Sequence, residues 1–129
     1  MSTSGGSREP ERGAAALELA IVLPILIMLV FGIIQFGRGY NAKIELTGAV
    51  REAARAIATG GSAGDAAAIV ANAAPNLNPA PTVTVLESCP AGSTGLARVR
   101  AVYDLSYDIP LVTSGTWSLT ATGVMRCGL

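Results

Sequence analysis

The chain contains no histidine, which removes the usual general base and the commonest metal ligand. It has no excess charge of either sign. Nine basic residues balance nine acidic ones over 129 positions, so no basic field invites nucleic acid. Cysteine is limited to Cys89 and Cys127, too few for a structural zinc site. In an exported domain such a pair is expected as a disulfide. Ser106, Ser114 and Ser118 have no histidine to activate them, and the cysteines have no base. Asp104 and Asp108 fall in no carboxylate-pair or metal-site pattern. The expectation is a protein that is not an enzyme and has no cofactor, no metal and no small-molecule substrate.

What the chain does have is an apolar run. From Leu19 to Phe36 no residue is charged, and Gln35 alone is polar. As a helix this stretch rises about 27 Å, close to the hydrocarbon thickness of a bilayer. Adding the small residues from Ala14 and closing at Gly37 gives a transmembrane helix over 14–37. The run is too long for a secretory signal peptide and no Ala-x-Ala site follows within reach, so an uncleaved anchor is expected in its place. Pro24 lies inside it. Proline removes one backbone bond and crowds the preceding turn, which membrane helices tolerate when neighbours satisfy the freed carbonyl. The simple expectation is a harmless kink; the functional one is a point where the helix bends when packed in an assembly.

Charge and cysteine disagree on orientation. Arg8 and Arg12 before the span are offset by Glu9 and Glu11, whereas Arg38, Lys43, Arg51 and Arg55 follow it. Counting positive charges places the C-terminal part in the cytoplasm; a stable disulfide requires an oxidising compartment. We expect the N-terminus inside and the C-terminal part extracytoplasmic, in a cytoplasmic (inner) membrane.

The residues around the start of the span form an ordered set. They are Arg12-Gly13-Ala14-Ala15-Ala16-Leu17-Glu18, then Leu23-Pro24, then Phe31-Gly32-Ile33-Ile34-Gln35-Phe36-Gly37-Arg38. Tyr40-Asn41, Leu46-Thr47 and Ala49-Val50-Arg51-Glu52-Ala53-Ala54-Arg55-Ala56 follow. Over residues 12–59 the chain resembles the TadE-like family, minor pilin-like proteins of the tight-adherence (Flp) pilus machinery. The resemblance implies a leader peptide over 1–13, cut after Gly13 by a prepilin peptidase. Ala14 would then be the mature N-terminus and Glu18 its fifth residue. A glycine lets the backbone enter a tight protease site. Glu18 lies one turn from the new amino group and could pair with the Ala14 ammonium of a neighbouring subunit, each charge being costly alone in lipid. Two positions depart from the pattern: Leu19 stands where many members have an aromatic residue, and the leader lacks a basic cluster. The implied partners are the lipid bilayer, the prepilin peptidase, and other pilin-like subunits with their tight-adherence assembly machinery, in which Pro24, Phe31 and Phe36 belong to the assembly helix. The implied function is a minor pilin or pseudopilin; the alternative is an uncleaved, single-pass extracytoplasmic binding module.

Beyond the span, Tyr40, Ile44, Thr47, Val50, Ala54 and Ile57 recur at helical spacing. They predict an amphipathic continuation over 38–59, ended by Gly60-Gly61-Ser62. A linker over 60–81 holds a short helix, Ala66 to Ala73, with Asp65 as its expected cap, and then Pro75, Pro79 and Pro81. From residue 82 to 129 the period changes to two. Thr82–Glu87, Leu96–Tyr107 and Thr116–Arg126 read as three antiparallel strands with one solvated face, and Pro110 and Ser114-Gly115 as the second connection. The predicted fold is α+β and pilin-like: a long helix, a short one, and a three-stranded antiparallel sheet on the long helix. In a simple meander the outer strands are about 10 Å apart, too far for a disulfide between strand positions. Either Cys89 lies in a loop crossing the start of the second strand, or the strand order differs.

Overall fold

A computed structural model describes residues 9–90 and 92–128. Residues 1–8 of the expected leader lie outside the described residues. Helix α1 runs from Glu9 to Ala58, 50 residues, about 75 Å at the standard rise. A 3₁₀ turn, Ala63–Asp65, leads into α2, Ala66–Ala73. Three strands follow: β1 Thr82–Glu87, β2 Leu96–Ile109 and β3 Thr113–Arg126. They form one antiparallel sheet in the order β1-β2-β3.

The sheet and α2 pack on the second half of α1. The core gathers Leu46, Val50 and Ile57 of α1, Val70 of α2 and Val99 of β2, all fully buried. Along β2 the inward positions Ala97, Val99, Ala101, Tyr103 and Leu105 alternate with exposed or half-buried ones, the pattern of a sheet with one covered face.

The buried stripe of α1 differs from the expected one. Val50, Ala54 and Ile57 are inside, but Tyr40 is 64% and Ile44 56% exposed. Gly39, Ala42, Ala49 and Ala53 take the inward positions. The physical reason is the closeness of the sheet: small residues admit its backbone, where large ones would hold it away. Gly123 of β3 makes this plain, because a Cβ there would collide with the Val50 carbonyl and lie 2.9 Å from the Arg51 nitrogen.

Two local expectations are also corrected. Asp65 makes no side-chain cap bond. The 3₁₀ turn precedes α2 and already holds Asp65 in a helical conformation, so the cap acts one turn earlier, where Ser62 Oγ accepts from the Gly64 amide at 3.2 Å. Ser114 and Gly115 are in strand β3, opposite Asp108 and Tyr107. The connection is the tight turn at Pro110–Val112, closed by the Val112 amide donating to the Ile109 carbonyl at 3.1 Å. Gly115 serves a ring instead of a turn, since a Cβ there would lie 2.6 Å from the Tyr107 hydroxyl.

Cys89 and Cys127 are disulfide-bonded, with Cα atoms 5.6 Å apart. Of the two arrangements left open by the sequence, the meander with Cys89 in the loop after β1 is the one found. The Cys127 amide donates to the Gly95 carbonyl at 2.9 Å, and that of Gly128 to the Ala58 carbonyl at 3.4 Å. The stapled end of the sheet is thereby held at the C-terminal end of α1.

Candidate assembly helix and its exit from the apolar segment

The first half of α1 carries no other element. Leu17, Leu19 and Ile21 are each more than 60% exposed, and the exposed large side chains continue to Ile34. A contiguous apolar surface of this extent marks a site of contact with lipid or with other proteins. The helix is long and apolar enough to cross a membrane: its most apolar window has a hydropathy of 2.8, with none of it buried.

Gly13, Ala14 and Glu18 all lie on this bare segment, exposed and helical. Among the described residues, nothing outside the local helix comes within 4 Å of where a Gly13 Cβ would be. Ala14 and Glu18, four residues apart, stack one turn from each other along the same face. Glu18 shares a shallow surface depression with Ala15, Leu19 and Val22. Pro24 falls within α1, which continues through it as helix. Phe31 is 36% and Phe36 69% exposed. Of the expected site residues, the fold thus joins Cys89 to Cys127 and leaves the others along an uncovered helix.

A second set of residues, at the end of the apolar run, was not singled out by sequence. Gln35 Nε2 donates to the Asp108 carbonyl at 3.1 Å, and Arg38 donates to Gln35 Oε1 at 3.2 Å. One turn on, a Gly39 Cβ would lie 3.5 Å from both Leu105 and Trp117. The Trp117 ring is tilted at 43° to that of Tyr107, centroids 5.1 Å apart. Lys43 donates to the Thr120 carbonyl of β3. The far end of the β2–β3 hairpin is therefore tied to α1 where the apolar run gives way to charged residues. The available signal was Gln35, the lone amide in an otherwise apolar stretch.

The serines expected to be inert behave as surface residues. Ser118 Oγ donates to Asp104 Oδ1 at 2.6 Å, directly across β2 and β3 on the exposed face. Glu45 of α1 accepts from both the backbone and side-chain nitrogens of Asn76 at 3.3 Å, and Tyr103 donates to the Asn78 carbonyl at 3.3 Å. These bonds fix the linker after α2 against the helix and sheet.

One apolar helix of membrane-crossing length, bare at first and then covered by a small stapled α+β head, is an architecture consistent with a membrane-anchored subunit. Residues 13–55 match the family described as TadE-like protein, and this stretch is a TadE-like domain. The match begins at Gly13 and ends at Arg55, covering about a third of the chain. Nothing among the curated proteins or the solved structures matches the chain. The family points to a pilin-like protein associated with the Tad pilus, a class generally without enzymatic activity.

Proposed function

We propose that this chain is a structural minor pilin or pseudopilin of a tight-adherence (Flp-type) pilus, cut by a prepilin peptidase between Gly13 and Ala14 and acting in pilus assembly or initiation. The observation that carries the reading is the TadE-like domain starting at Gly13, on a helix whose first half is left uncovered by the other described residues. In this reading the N-terminus starts on the cytoplasmic side of the inner membrane and the stapled head lies on the extracytoplasmic side. The bare apolar segment is held first by lipid and then by other pilin-like subunits. Glu18 pairs with the Ala14 ammonium of a neighbour, so that neither charge stays alone in an apolar surrounding.

The deciding experiment is the mass and N-terminal sequence of the protein from membranes with its prepilin peptidase, beside membranes lacking it. The expected result is a peptidase-dependent start at Ala14. A chain still carrying Gly13 in cells where a known pilin is cut would refute processing and favour an uncleaved single-pass binding module.

A further inference from the structure

The β2–β3 turn is built in an unusual way for a turn facing water. Leu111 at its apex has φ 66, a left-handed conformation that is costly for a leucine and readily taken by glycine. Leu111 is 94% exposed and its neighbour Val112 56%. Between Asp108 and Arg126 no residue is charged. Other exposed apolar side chains of the head, such as Leu86, Leu96 and Val124, are 40–46% exposed, whereas Leu111 stands almost wholly free, on a turn that lacks the glycine its backbone favours.

The height of this turn along α1 is fixed by the bond from Gln35 to the Asp108 carbonyl. β2 runs from the stapled end, beside Ala58, toward Gln35. β2 continues one residue beyond Asp108, about 3.4 Å, and the tight turn Pro110–Val112 follows. The apex therefore projects beyond the level of Gln35, toward the apolar run of α1 but without packing on it. On its head side lie the guanidinium of Arg38, held at Gln35, and then the rings of Tyr107 and Trp117. Tyrosine and tryptophan rings favour the headgroup level, and an arginine there reaches lipid phosphates while its stem stays in apolar surroundings.

We propose that the β2–β3 turn, with Leu111 at its apex, inserts into the headgroup–acyl boundary of the bilayer that α1 crosses. The head then has two lipid contacts, the helix and the turn, which set its tilt on the membrane before it joins an assembly. The inference rests on α1 being a membrane anchor, and the experiment separates the two claims.

Trp117 is the only tryptophan, so Trp117→Phe gives a blank background for single probes in the full chain. Leu111→Trp in that background reports the apex, and Ile27→Trp reports the middle of the span. Both are reconstituted in phosphatidylcholine vesicles containing lipids brominated either near the headgroup or near the chain end. The expected result is blue-shifted Leu111→Trp emission, quenched more by shallow bromines than by deep ones, with the reverse order for Ile27→Trp. Quenching of Ile27→Trp with none of Leu111→Trp would leave the anchor standing and overturn the turn's insertion. Blue-shifted but unquenched apex emission would also overturn it, by showing that another copy of the protein covers the apex. If neither probe is quenched, the anchor fails and the inference with it. In the unaltered chain Trp117 should itself be quenched by shallow bromines, a readout that does not depend on the substitutions; its full protection would count against insertion.

Discussion

Replacing Gly123 by alanine adds one methyl group at the closest approach between sheet and helix. The new Cβ would meet the Val50 carbonyl oxygen, would lie 2.6 Å from the Val50 carbonyl carbon, and would be 2.9 Å from the Arg51 nitrogen. All three are backbone atoms within a continuous helix, so no side-chain rotation relieves the clash. β3 must move away from α1, thinning the contacts that Ala121 and Val50 make in the core. Overpacking of this kind costs about 1–3 kcal/mol. For a head of this size that corresponds to a fall in Tm of roughly 4–24 °C. The assay is near-ultraviolet circular dichroism of the full chain in detergent micelles on heating, following the Trp117–Tyr107 pair. Gly48→Ala is the comparison: it lies in the same helix, exposed, with nothing within 4 Å of the added Cβ, and should gain about 0.5–1 kcal/mol from the reduced freedom of the unfolded chain. A Gly123→Ala protein melting at or above the unaltered one would refute the close-approach account of the helix–sheet interface.

Other outcomes follow from single residues. Cys127→Ser opens a loop of sequence separation 38 and should cost about 4 kcal/mol by the chain-entropy account; a Tm that does not respond to the substitution or to reductant would show that the staple adds nothing. Leu46→Ala removes a side chain with no exposure and should cost about 2–5 kcal/mol, read by denaturant unfolding; a loss below about 1 kcal/mol would mean the site collapses around the cavity. Glu18→Ala should leave the N-terminal cut in place and reduce pilus assembly when expressed at native level, and normal piliation of that variant would dismiss the charge pairing.

The larger features of the fold were legible because they rest on periodicity. An uninterrupted apolar run gave the first half of α1, and alternation over Val99, Ala101, Tyr103 and Leu105 gave the inward face of β2. The register of burial on α1 was harder to read. Pattern reasoning follows large side chains, and so it placed Tyr40 and Ile44 inward, while the fold turns Gly39, Ala42, Ala49 and Ala53 inward beside Leu46, Val50 and Ile57. Nothing local distinguishes a small residue that admits a sheet from one that merely favours a helix; the difference lies in the partner, and Gly123 is seventy-odd positions away. Gly115 misled for a related reason. Glycine after serine reads as a turn, whereas here it makes room for the Tyr107 ring while Pro110–Val112 turns the chain with a leucine at positive φ. At the candidate site the sequence picked out Gly13, Ala14 and Glu18, which owe nothing to tertiary contacts. It passed over the Gln35–Asp108 and Lys43–Thr120 bonds, which join α1 to backbone carbonyls of the sheet and leave no pattern in side-chain chemistry.

The positions of the two cysteines also set an order in time. Cys89 precedes both long strands and Cys127 follows them, while the turn from which the β2–β3 hairpin can zip lies at the opposite end of the sheet. Hairpin closure takes microseconds, whereas thiol oxidation takes seconds or longer. The strands therefore find their register first and the sulfurs meet across a sheet already assembled. In that order oxidation follows strand pairing instead of guiding it. A newly made subunit then passes through a stage with two thiols, and because Cys127 is buried, alkylation of the denatured protein followed by its mass is what would count such subunits.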